Sequence, residues 1–203
     1  MNPEDAIAKL AEDLDEWFED GRSTLAVPDR FAHERAMDRG IRIVVELDRL
    51  KREGMAAIRQ RLSEANAKPR DAQVSSLIEV FKFSSRLADT LYDELLDTNG
   101  VNEIWRLMDT IVETLNQIAR GRAALDVLLD DPRAGVRAAA GAYLIDLDPE
   151  RIIPILRAID EKGGGKHADF GAHWTLLAWE RDRMSRFISL NRSAAAKTDT
   201  GEK

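Results

Sequence analysis

The stretch that most constrains this chain is Leu128-Leu129-Asp130-Asp131-Pro132-Arg133-Ala134-Gly135-Val136-Arg137-Ala138-Ala139-Ala140. It is followed by Asp148-Pro149-Glu150 and then Ile153-Pro154-Ile155-Leu156. A leucine pair, an Asp-Pro turn, Val-Arg, an alanine-rich helix, a second Asp-Pro and a short apolar helix follow one another in that order. Val136, Ala139, Ala140, Tyr143 and Leu144 keep the three-four spacing of a buried stripe. Arg137 is placed to reach back to Asp130 or Asp131 and tie the turn around Asp131 and Pro132. Helical hairpins of this kind bury their apolar faces by stacking on neighbours, and the usual product is a binding surface.

The order of these residues resembles a HEAT-type helical hairpin. From about Val74 to Arg183 the chain also resembles an uncharacterised bacterial domain family, in which two helices precede a Leu-Leu-Asp-x-Pro-x-x-x-Val-Arg hairpin. Members end in a helix with a Thr-Leu pair, here Ala168-Asp169-Phe170-Gly171-Ala172-His173-Trp174-Thr175-Leu176. The resemblance implies a HEAT-like fold and no known activity. His173 and Trp174 stand where smaller residues are expected, which marks them as particular to this chain.

Elsewhere helical periodicity dominates and no alternating strand pattern occurs. Ile7, Leu10, Leu14, Trp17 and Phe18 make one face of a first helix closed by Gly21. A second helix runs from about Asp29 to Arg52, with Met37, Ile41, Val44 and Leu47 in register; Gly54 interrupts it, and Met55, Ile58 and Leu62 form a short third. Asn66 to Arg70, with Pro69, is the clearest internal break. A long helix with Val74, Leu77, Phe81 and Leu91 stops at Asn99-Gly100, and the next carries Ile104, Trp105, Met108, Ile111 and Leu115. The expected class is therefore all-α, an α-α solenoid of HEAT-like helical repeats. The expected divisions are a three-helix unit over 1–66, a HEAT-like domain over 70–185 and a disordered tail over 192–203. Gly54 to Ile58 and Leu62 match Gly121 to Leu125 and Leu129 at an offset of 67, which leaves open whether the chain holds two related units.

Charge narrows the function. The net charge is −7, and residues 1–20 hold eight acids against Lys9 alone. Residues 41–70 carry eight bases and four acids. Nucleic-acid binding draws most of its affinity from a basic face, so the overall balance disfavours it. No run approaches the ~20 apolar residues that span a bilayer, so no membrane partner is expected. With no cysteine there is no disulfide framework and no thiolate site. The acidic start, Met1 to Asp5, lacks signal-peptide features, and the expected location is cytoplasmic.

Chemical motifs are sparse. Lys162-Gly163-Gly164-Gly165-Lys166-His167 lacks the strand, spacing and Ser or Thr of a phosphate loop. His167, Asp169 and His173 are the one cluster of ligand types, but histidines six apart point to different helix faces, so no metal and no cofactor is expected. Nor is there a nucleophile elbow, so no catalytic residue is assigned. The expected function is a non-enzymatic protein-binding module, in one form an inhibitor or immunity-type protein masking a basic partner. Asp13, Asp15, Glu16 and Glu19 would steer that partner, while Leu176, Trp179 and His173 would contact it. Phe170, Trp174, Leu177 and Ala178 define the other face of the last helix, so either both faces are buried or Leu176 and Trp179 form an exposed contact patch. Leu176 and Trp179 also offer a surface for homo-oligomerisation. The rival class is a small-molecule-binding protein or enzyme with a pocket in the C-terminal half, where Arg137, His173 and a carboxylate would converge.

Overall fold

The structure is a computed structural model that describes residues 3–24, 30–162 and 164–198. Within these, the side chains of residues 3, 4, 14, 15, 18–24, 30–36 and 183–198 lie outside the described set. Among the described residues every regular element is helical and there is no strand. The chain forms two compact units, Met1–Val127 and Leu128–Lys203.

The first unit contains α1 (Pro3–Thr24), α2 (Arg30–Asn66), α3 (Arg70–Leu95), α4 (Thr98–Asn116) and α5 (Gly121–Val127). Helix α3 is its centre: α1, α2, α4 and α5 all pack on it, and α2 also meets α4. Its sequence explains this. Leu77, Phe81, Leu87 and Leu91 are fully enclosed, Phe83 lies on a further face, and Ser84 and Ser85 are small enough to be buried between neighbours. The Ser84 hydroxyl donates to the Val80 carbonyl at 2.8 Å, which removes the cost of burying it. From the facing helices Ile58, Ile104, Met108, Ile111 and Leu115 complete the core.

Three sequence expectations change here. Helix α2 runs unbroken through Gly54, because that glycine marks a close helix crossing: a Cβ there would lie 2.8 Å from Cδ2 of Leu87. The segment from Asn66 to Arg70 turns the chain inside one compact unit; the boundary between units falls at Val127–Leu128, within the span expected to be the HEAT-like domain. The offset of 67 carries α1 onto α3 and the start of α2 onto α4, but it sets mid-helix Gly54 against Gly121, the first residue of α5. Third, α3 ends at Leu95 with Leu96 in the left-handed region (φ 51°), and Asn99-Gly100 belongs to the first turn of α4. Asp97 decides that boundary, its carboxylate accepting from the Gly100 amide at 2.9 Å as an N-cap.

The second unit contains a 3₁₀ turn (Leu128–Asp130), α6 (Ala134–Leu144), α7 (Pro149–Lys162) and α8 (Lys166–Thr198). Helices α6, α7 and α8 each touch the other two. The expected hairpin is present as α6 and α7. Its turn is held by Arg137, whose Nη1 donates to the carbonyls of Asp131 (2.7 Å) and Pro132 (2.9 Å), while Asp131 accepts from the Arg133 amide at 3.0 Å. Arg137 therefore ties the turn through main-chain oxygens. Small residues on α6 let α7 approach: Val136, Ala139, Ala140 and Leu144 are buried, and a Cβ on Gly141 would sit 2.9 Å from Leu156. The backbone of α8 continues to Thr198, into the segment expected to be a disordered tail, and residues 199–203 lie outside the described residues.

Candidate functional site

Helix α8 shows two faces of opposite character. Ala168, Ala172 and Leu176 (8% exposed) are buried, together with His167. Phe170 (47%), Trp174 (54%) and Leu177 (42%) face outward, and His173 is exposed beside them. This reverses the expectation that Leu176 and Trp179 form an exposed contact patch: Leu176 is core and Trp179 is half-buried. The physical reason is side-chain size. With Ala168 and Ala172 on the inner face, α8 comes close to α6 and α7, a distance that Phe170 or Trp174 on that face would prevent. Periodicity marks apolar faces without saying which one the neighbours will cover.

The outward face is ordered by its own contacts. The rings of Phe170 and Trp174 meet edge-on, centroids 5.8 Å apart, and His173 stands 6.3 Å from Trp174 at a steep interplanar angle. Nδ1 of His173 lies 3.3 Å from Oδ2 of Asp160, and Arg157 lies 3.8 Å from Glu180, so two polar links join α7 to α8 along the edge of the apolar face. Scattered exposed apolar residues need no explanation, whereas a stripe with two aromatic rings is a candidate contact surface. His167, Asp169 and His173 go separate ways: the first is buried, the second accepts from the Gly164 amide and the third faces Asp160. Among the described residues no three potential metal ligands gather at one place.

The first unit carries a second stripe. Met37, Ile41, Val44 and Val45 on α2 are each between 47% and 61% exposed, whereas Gly40, Ile43, Leu47 and Leu50 face inward. In the sequence Met37, Ile41, Val44 and Leu47 stand in one helical register. Only Leu47 is buried, because α1 approaches α2 on the side of Gly40, where Trp17 packs. On α1, Glu16 is exposed and lies 3.9 Å from Arg39 of α2, and Asp13 is half-buried; the side chains of Asp15 and Glu19 lie outside the described residues.

An open groove of about 400 Å³ lies between the end of α2 and the start of α3, lined among others by Arg61, Lys68, Ser75, Ser76 and Arg86. It belongs to the first unit, whereas the pocket considered from sequence was in the C-terminal half. Arg61 lies over the Phe83 ring at 4.0 Å and Lys68 donates to Ser76 at 2.8 Å, so two of its cations are engaged by neighbouring side chains.

Two charged pairs, Lys51–Asp97 and Arg59–Glu103, join α2 to the first turns of α4. Burial pushes the Asp97 carboxyl up, but the hydrogen bonds from Lys51 and the Gly100 amide outweigh it and hold the group below its ordinary value. A depressed folded-state pKa gives stability that is present above the unfolded value, 3.8, and is lost as pH falls through the folded one. Asp97→Ala is expected to cost about 1 kcal/mol for the cap. The ion pair, partly in water, adds at most about another 1 kcal/mol. Asp97→Asn should keep the cap and lose the pair, and in urea unfolding its gap to the wild type should narrow as pH falls below about 4 and through the lower folded-state value. A constant gap between the two from pH 7 to pH 3 would refute this assignment.

No family model matches the chain, and no curated protein or solved structure is significantly similar to it.

Proposed function

We propose that the chain is a non-enzymatic protein-binding module that holds a basic, amphipathic partner on its first unit. The observation that carries this reading is the aliphatic stripe Met37, Ile41, Val44 and Val45, exposed on the helix against which the acidic helix α1 packs. A partner helix with apolar residues at the same spacing would cover the stripe, and its basic flanks would meet the acids of residues 1–20. Acidic charge of this density attracts an oppositely charged protein over a Debye length and raises its association rate. An inhibitor that masks a basic partner in the cytoplasm is the concrete form of this function. In the second unit, the α6–α7 hairpin with its Arg137-tied turn supports a HEAT-like solenoid reading of the architecture. No described helix is long and apolar enough to cross a membrane, which agrees with a protein partner.

The two components of binding are separable. Charge reversal at Asp13, Asp15, Glu16 and Glu19 should slow association roughly 10-fold at low salt and flatten its salt dependence. Ile41→Glu with Val45→Glu should chiefly speed dissociation, because it places charge in the desolvated centre of the contact. Both are read by surface binding kinetics against a captured partner identified by mass spectrometry. A partner that is acidic, or one whose kinetics ignore both variants, would sink the reading.

A further inference from the structure

We propose that the outward face of α8 is the seam of a homodimer, in which two copies of the chain pair their α8 helices antiparallel. This face is separate from the α2 stripe, and the proposal does not depend on what α2 binds.

The argument begins with spacing. Phe170, Trp174, Leu177 and Arg181 follow one another at intervals of four, three and four, the interval sequence of a coiled-coil seam. The first three are about half exposed and the Arg181 side chain is largely so. That interval sequence reads the same in both directions, so a two-fold axis between residues 175 and 176 superimposes the seam on itself. Such an isologous contact needs one surface that complements itself, and this one does. Trp174 of each copy then falls opposite Leu177 of the other. Phe170 falls opposite Arg181, a ring face against a guanidinium, the pairing that would let a cation sit at the end of an apolar seam.

The flank agrees. His173 and Glu180 lie on the same edge of the helix, and antiparallel pairing brings each beside the other residue of the second copy. A parallel pair would instead set Arg181 against Arg181, which repel. An outside partner would have to supply this pattern, aromatic-facing cation included, whereas a second copy carries it already. The overlapping segment is about 20 residues, or roughly 30 Å of helix. Its area is at the lower end of specific interfaces, so the expected dimer is weak, with Kd on the order of micromolar.

The chain has no cysteine, so single cysteines report the register cleanly. Phe170→Cys and Arg181→Cys chains should form a disulfide-linked dimer when mixed under mild oxidation, and neither should do so alone. In sedimentation velocity the wild type should pass from monomer to dimer with concentration. Trp174→Glu, which changes an exposed side chain and should leave the circular dichroism unaltered, should remain monomeric. A wild type that stays monomeric at every concentration would overturn the proposal and leave the seam to another chain's helix. Cross-linking of either cysteine variant with itself would overturn the antiparallel register, and a dimer indifferent to Trp174→Glu would place the interface elsewhere.

Discussion

Replacing Gly121 with alanine should lower the stability of the first unit by about 3 kcal/mol or more, a loss of roughly 10 °C in the midpoint of thermal unfolding. A Cβ at this position would overlap the Leu115 carbonyl oxygen and lie 2.7 Å from the carbonyl carbon. Those atoms are backbone, so the clash cannot be relieved by rotating a side chain. The preceding residue, Arg120, already sits in the left-handed region at φ 70°, and the Gly121 amide donates to Ile118 at 3.0 Å. The turn between α4 and α5 thus has little room to open without losing its own hydrogen bond. Gly54→Ala provides the contrast. Its Cβ would meet the end of the Leu87 side chain, and the gain of about 1 kcal/mol in helix propensity offsets the repacking. Urea unfolding of both variants checks the pair; equal stabilities would refute the distinction between a backbone and a side-chain neighbour.

Phe81→Ala should cost about 3–5 kcal/mol, the range for deleting a fully enclosed ring. Phe81 is completely buried on α3, the helix that α1, α2, α4 and α5 all contact. The cavity would therefore open at the centre of the unit, where four neighbours would have to move together to fill it. The expected signature is a lower denaturant midpoint with an unchanged slope, because the folded unit keeps its fold. A cost under about 1 kcal/mol would mean that the core collapses readily around the gap, and α3 would not be the organising helix. Such a loss would also loosen the support of α2, whose outer stripe carries the proposed partner contact.

The candidate surfaces were only half legible beforehand. Phe170, Trp174 and Leu177 stood out in sequence as one face of a helix, and Leu176 with Trp179 as another. The face chosen for contact was the one that packs, since Ala168 and Ala172 allow the closer approach. On α2, Met37, Ile41 and Val44 share a register with Leu47, yet only Leu47 is buried. Gly54 carried the usual sign of a helix break, and nothing local shows that Leu87 occupies the space a side chain would need.

By itself the sequence determined the all-helical class, the break between Asn66 and Arg70, and the hairpin of α6 and α7 with Arg137 at its turn. These depend on neighbours a few residues apart, whose spacing, caps and turns act along the chain. Tertiary structure alone decided the unit boundary at Val127–Leu128, the unbroken course of α2, and which apolar stripes stay uncovered. Those depend on contacts between residues far apart in the chain, where the closest approach of two helices is set by the smallest side chains that meet. A hydrophobic stripe records that a face can be buried; the packing of its neighbours determines whether it is.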